Sequence, residues 1–386
     1  MNPPTAAASR YHALDALRAA MMFLGIYLHA VVAYSPNGGW PFKPPQLTTT
    51  LDFSMILIHV FRMPVFYVMA GFFAALLLQR YGSRRAVANR FWRIVVPFVV
   101  GWIVIYPLVM FMSALGRRGL DPAIDFILSG RFLAYAHPMH LWFLEYLIVL
   151  YVLAAIVVLA LPIVVPPAMR ARLLGIFRSA VQSVWAPLLL GVPSFIAMLL
   201  TPHPWLDDPP GFVPVTHLVV AYGIPFGFGW LLFINADLLE VLAKRGWLYT
   251  AAAVLAFIAY LALLLSFADR GMAFYALRAA HALAMWCLIL GTTGLFLRYL
   301  SGHSALRRYL CDSSYFLYIA HLPVILLFQL ILLGVPLPPL AKMVVVLVAT
   351  IAVLLPLYHY AVRPTAIGAV LNGRKYPSAL APAAAD

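Results

Sequence analysis

Ten runs of about 20 mostly apolar residues follow one another along this chain, and a run of that length crosses bilayer hydrocarbon as a helix. They lie at 13–34, 51–79, 94–113, 140–161, 183–200, 213–235, 247–267, 273–297, 309–333 and 338–361. The fifth is the weakest, because Pro187 and Pro193 interrupt it. The short segments between runs are rich in Pro, Gly, Arg and Asp, as loops should be. Of the 386 residues, 65% are hydrophobic and 10% charged, where a soluble domain holds about 45–50% and about 25%. One water-soluble core cannot bury that surplus, which excludes a cytosolic enzyme, a secreted disulfide scaffold and a disordered protein. Cys287 and Cys311 build no disulfide framework and have no metal spacing. The expected fold is therefore all-α: a polytopic integral membrane protein of about ten transmembrane helices.

A net charge of +14 suggests nucleic acid or an anionic surface unless position explains it. Position does. An even number of spans puts both termini on one side, and most of the 26 Lys and Arg fall there. Only Lys43, Arg117, Arg118, Arg131, Arg270, Arg278 and Lys342 fall opposite, with Arg18 and Arg62 left inside spans. The positive-inside rule places both termini in the cytoplasm, and no nucleic-acid partner is expected. The first span carries Asp15, Arg18 and His29 and is followed by no small-residue cleavage site, so it is not read as a signal peptide. The chain reads as one membrane domain, 13–361, between a cytoplasmic N-terminus, 1–12, and a cytoplasmic tail, 362–386, whose Ala/Pro-rich end spans Ser378 to Asp386.

Ionisable groups inside spans are costly, so each asks for a reason. Arg62 lies about 16 Å from the outer start of the second span at about 1.5 Å per residue, near the midplane. It is either a structural cation satisfied by carbonyls or a carboxylate, or a fixed cation for an anionic group or developing oxyanion. Asp15, Arg18 and His29 fall along one face of the first span, within about 20°. His59, His140 and Glu145 come at a depth similar to that of His29, on spans two and four, which suggests a polar cavity open to the outside. His321 falls near the midplane of span nine, as a helix-packing group or a member of a site. Arg90 and Arg93 mark the cytoplasmic mouth of span three; one turn apart, they suit membrane anchoring or a clamp on phosphates. His137 and His140 look like a metal pair, but Pro138 breaks the register and no third ligand accompanies them, so no metal is expected. There is no nucleophile elbow, Walker loop or dinucleotide fingerprint. The pattern suits an enzyme that takes an anionic activated donor from the cytoplasm and modifies an acceptor outside. It equally suits a transporter of an anionic metabolite.

Particular motifs add a resemblance. Asp15 and Arg18 followed by His29 resemble the opening of the acyltransferase 3 family of membrane O-acyltransferases. The stretch from His59 through Arg62, Met63, Pro64 and Tyr67 to Gly71 is similar to that family's second helix, and Arg90 to Arg93 to its paired arginines. His140, Leu141, Trp142 and Phe143 match its fourth helix, and Tyr315, Tyr318 and His321 a late one. The resemblance covers nearly the whole chain, in order, and is strongest to a branch acting on osmoregulated periplasmic glucans. Glu145 and His59 are not tied to the family pattern.

The resemblance implies a multi-pass protein of the bacterial inner membrane, which moves succinyl from cytoplasmic succinyl-CoA to glucose hydroxyls of a periplasmic glucan. Succinyl-CoA is a donor substrate, and no cofactor is expected. Membrane lipid surrounds the chain, and other glucan-biosynthesis proteins are conceivable neighbours. On this reading His29 is the general base and Arg62 holds the thioester oxyanion or the distal succinyl carboxylate. Asp15 and Arg18 order the lower part of helix one, and Arg90 and Arg93 engage the CoA phosphates. His140 binds the acceptor, or is itself the base with His29 as partner; a covalent acyl-histidine also remains open. His59, Trp142, Glu145, Tyr318 and His321 complete the expected substrate-binding set. Acetyl transfer to another envelope polysaccharide or a lipid-linked sugar, and transport of an anionic acyl metabolite, are the alternatives.

Overall fold

In lipid a backbone must satisfy its own N–H and C=O groups, and closing helices does so within each apolar run. The structure, a computed structural model, describes residues 11–266 and 271–376. Arg10 with the rest of residues 1–10, Arg270, and the Ala/Pro-rich end at 378–386 lie outside the described residues. Every regular element among the described residues is helical. In chain order these are α1 (His12–Val32), α2 (Thr50–Arg90), α3 (Val96–Arg118), α4 (Leu120–Leu128), α5 (Trp142–Val164), α6 (Pro167–Gln182) and α7 (Ala186–Met198). There follow α8 (Thr216–Ile234), α9 (Leu238–Leu265), α10 (Met272–Tyr299), α11 (Ala305–Ile331), α12 (Pro339–Pro356) and α13 (Ala366–Asn372).

Among the described residues, eight stretches are long and apolar enough to cross a membrane, and they absorb nine of the ten expected runs. The second and third runs share one helical stretch, Thr50–Arg118, which Gly82 interrupts with φ 76° and ψ 170°. That left-handed conformation favours glycine. The fifth run is shorter than expected: α7 has 13 residues, about 20 Å at 1.5 Å per residue, against hydrocarbon about 30 Å thick. Pro187 opens this helix and Pro193 sits inside it.

Contacts between loops respect the alternation of sides inferred from charge. Arg178 in α6 donates to Asp237 at 2.9 and 2.6 Å, beyond the end of α8, and holds that carboxyl below its ordinary range. Arg93 reaches the Leu371 carbonyl at 2.8 Å, and Tyr376 and Asp312 are hydrogen-bonded. On the other side, Lys342 reaches Gln46 at 3.3 Å, and Arg117 and Arg278 bind the carbonyls of Pro41 and Thr201. Each pair joins segments assigned to one side. One span more or fewer would have split them.

Small residues let the helices close. A Cβ on Gly71 would fall on the Phe226 carbonyl, and one on Gly229 on the Val68 carbonyl, so α2 and α8 touch backbone to backbone. α9 and α10 meet the same way, where a Cβ on Gly246 would lie 2.8 Å from the Gly294 carbonyl carbon. Gly229→Val is expected to destabilise the protein by about 1–3 kcal/mol through overpacking, measured as a lower thermal midpoint in detergent. An unchanged midpoint would mean α2 and α8 do not meet at that residue.

Candidate active site

The site is built around a proline in α11. Pro323 has no N–H, so the Ile319 carbonyl four residues earlier loses its helical donor. His140, in the 3₁₀ turn Met139–Leu141 that leads into α5, supplies the replacement: its Nε2 lies 3.1 Å from that oxygen. Tyr318 in turn donates its hydroxyl to the His140 carbonyl at 2.7 Å. His140 is thus held by α11 at both ring and backbone.

One turn along α11, the His321 Nδ1 lies 2.7 Å from the Tyr318 carbonyl and 3.1 Å from that of Leu317. Its Nε2 lies 3.1 Å from His29 Nδ1 on α1. The three imidazoles form one cluster, with ring centres 5.0 Å apart for His29 and His321, 4.9 Å for His140 and His321, and 6.0 Å for His29 and His140. Gln329 fixes the backbone end of His29 by donating to its carbonyl at 3.1 Å, and accepts from the Trp40 indole at 2.8 Å.

Arg62 enters from α2. It is only 9% exposed, its Nε is buried without a partner, and no hydrogen bond or ion pair holds it among the described residues. Its guanidinium lies against Gly25 of α1, where a Cβ would collide with Nη1. His29, Arg62, His140, His321, Tyr318 and Trp142 all line one cavity of about 290 Å³, together with Trp40 and Asp208 from loops.

A second cavity, of about 100 Å³, lies on the side of the termini. Arg18, Arg90 and Arg93 line it, along with Asp312 and Tyr315. Arg90 donates to the Phe73 carbonyl at 3.0 Å and lies over Tyr151, and the Tyr315 hydroxyl donates to the Arg93 carbonyl at 2.7 Å. Asp15 is paired with Arg18 at 3.4 Å. Phe66 and Phe143 line both cavities, and their ring centres are 4.9 Å apart. Two aromatic side chains, tilted by 41° to each other, therefore lie between a cavity bordered by arginines and one bordered by histidines.

The structure brings His29, Arg62, His140, Trp142, Tyr318 and His321 together, and places Arg18, Arg90 and Arg93 around the second cavity. His59 and Glu145 do not line either one. His59 is exposed, and its Nδ1 is satisfied 2.8 Å from the Met55 carbonyl of its own helix. Glu145 is partly buried, with Oε2 unpartnered. The third histidine of the cluster is thus His321, not His59. Trp40, Asp208 and Gln329 were not expected; they come from loops or a distant helix end, where spacing carries no signal. Among the described residues, no three His, Cys, Asp or Glu side chains are grouped to hold a metal ion.

A family model described as an acyltransferase domain matches residues 11–359. The chain is similar to Glucans biosynthesis protein C of Escherichia coli strain K12 / DH10B, with 30% identity over 152 residues, 39% of each chain. Its similarity to Glucans biosynthesis protein C of Escherichia coli O1:K1 / APEC has the same identity and coverage. The matched stretch spans only 39% of the relatives' own length. No solved structure matches the chain.

Proposed function

Since the chain belongs to the acyltransferase family whose domain model it matches over residues 11–359, we propose that it carries an acyl group from cytoplasmic acyl-CoA to a sugar hydroxyl of a periplasmic glucan. The observation that carries this reading is the pair of cavities meeting at Phe66 and Phe143. CoA phosphates sit among Arg18, Arg90 and Arg93. The acyl thioester reaches past the two phenylalanines to the histidines.

There the acceptor oxygen attacks the thioester carbonyl as its proton passes to His29. The carbonyl oxygen becomes an oxyanion, and Arg62, which no hydrogen bond or ion pair holds among the described residues, faces it as a preorganised cation. Collapse of the tetrahedral species breaks the carbon–sulfur bond, forms the ester, and returns the proton from His29 to the CoA thiolate. Aromatic walls keep water away from the thioester. Arg90→Ala is expected to raise KM for acyl-CoA by about 10–100-fold, the order set by losing one charged hydrogen bond worth about 1.5–3 kcal/mol. Steady-state kinetics with varied donor would check it, and an unchanged KM would remove Arg90 from the donor site.

Succinyl is the acyl group favoured here, because the similar proteins are named for glucan biosynthesis and Arg62 can also attract a distal carboxylate. One observation favours an uncharged acyl group such as acetyl. Asp208 lines the same cavity, and Arg62 cannot hold an oxyanion and a carboxylate at once. Incubating detergent-purified protein with succinyl-CoA or acetyl-CoA and an unmodified glucan, then weighing the products, decides between them. Ester formation without a sealed membrane also excludes pure transport. Failure with both donors, from monodisperse protein, would overturn the transferase reading.

A further inference from the structure

The three imidazoles can be assigned protons from their partners alone. A carbonyl oxygen only accepts hydrogen bonds, so a ring nitrogen facing one carries the hydrogen. His321 faces the Tyr318 and Leu317 carbonyls with Nδ1, which makes it the Nδ1–H tautomer and leaves Nε2 as a bare lone pair. That lone pair lies 3.1 Å from His29 Nδ1, so a neutral His29 must donate there. The hydrogen of His29 is then on Nδ1, and its free lone pair is on Nε2.

We propose that His321 is a positioning residue that locks His29 in the Nδ1–H tautomer, with Nε2 as the basic atom of the transfer. The chain runs from helix carbonyl to His321 to His29 to the acceptor hydroxyl. It needs no carboxylate, because the helix backbone fixes the orientation of the second imidazole. No proton moves to His321. When His29 takes the acceptor's proton on Nε2, its Nδ1–H remains bonded to the His321 lone pair, which stabilises the imidazolium as it forms.

The surroundings agree with this assignment. His321 is 1% exposed, and its Nε2 faces His29 Nδ1 at 3.1 Å. His140 is locked the opposite way, with hydrogen on Nε2 facing the carbonyl freed by Pro323; its Nδ1 is buried without a partner. His140 therefore presents no N–H to His29 that would disturb the pair. This inference rests on the proposed role of His29 for its chemistry, but its tautomer claim is independent of any activity.

The direct test is nitrogen–hydrogen correlation spectroscopy of ¹⁵N-histidine-labelled, purified full-length protein near neutral pH. The His29 signal is identified by its loss in His29→Ala. It is expected to show the Nδ1–H pattern in the parent protein and to leave that pattern in His321→Leu, which offers no acceptor. In His321→Gln the side-chain oxygen can accept from Nδ1–H, so the pattern is expected to return at least in part. Turnover should follow the same order: a fall of about 10²–10⁴-fold in kcat for His321→Leu, a smaller fall for His321→Gln, and little change in KM for the donor. A His29 in the Nε2–H form in the parent, or in the Nδ1–H form in His321→Leu, would overturn the proposal. Equal kcat losses in the leucine and glutamine variants would reduce His321 to a packing residue. If no variant or parent forms ester but the tautomer pattern holds, the transferase reading fails and the lock stands.

Discussion

Replacing His29 by glutamine is expected to lower turnover by about 10²–10⁴-fold, the range for losing a positioned general base. Glutamine keeps the size and polarity of the imidazole but cannot take a proton, so the loss cannot be ascribed to an empty space. The neighbours offer no ready substitute. His140 Nδ1 is buried within the protein, and the His321 lone pair points at the position His29 occupies. Because the proposed donor site, lined by Arg18, Arg90 and Arg93, lies on the far side of Phe66 and Phe143, KM for acyl-CoA should stay within about twofold, a difference near the thermal energy. Single-turnover rates with saturating donor measure this directly. Retained turnover in His29→Gln would end its assignment as base.

Arg62→Met is expected to lower turnover by about 10²–10³-fold while raising thermal stability. The two effects have one cause. A buried cation that no hydrogen bond or ion pair holds costs desolvation, and an apolar side chain of similar length removes that cost; the same change removes the donor proposed for the oxyanion. Arg62→Lys keeps the charge without the planar fork and should fall between. Gly25→Ala offers a subtler version, since the added Cβ collides with the far end of Arg62 and displaces its guanidinium without deleting it. A displacement of about 1 Å can cost about 10²-fold in rate. Thermal midpoints and turnover measured on the same preparations check both halves. A less stable Arg62→Met protein would mean that Arg62 has a structural partner.

Most of the fold was legible because bilayer thickness turns an apolar run directly into a helix. What was not legible came from geometry that hydropathy does not carry. α2 and α3 share one helical stretch that Gly82 kinks, and α7, with Pro187 at its start and Pro193 inside it, is short. For the site, helical period told which residues share a face but not which helices are neighbours. It put Asp15, Arg18 and His29 on one face of α1, while depth in the membrane grouped His59 with His29 and left His321 as either a packing group or a member of a site. Nothing in a separation of 292 residues announces a contact between α1 and α11. The one local signal was Pro323 two residues after His321, since a proline inside an apolar run frees a carbonyl that some donor must satisfy. Asp208 and Trp40 lie in loops without periodicity, where sequence spacing says little about position.

In the proposed mechanism one molecule binds the donor on the arginine side and the acceptor on the histidine side, with chemistry between them. Vesicles of purified protein test it most directly, with the glucan trapped inside and acyl-CoA added outside. This arrangement predicts ester on the trapped glucan and free CoA in the outer solution, without acyl-CoA inside. It also predicts no ester in intact vesicles when donor and glucan are both outside, and recovery on adding detergent. Ester formed in intact vesicles with both substrates on one side, or none across the membrane from protein active in detergent, would contradict it.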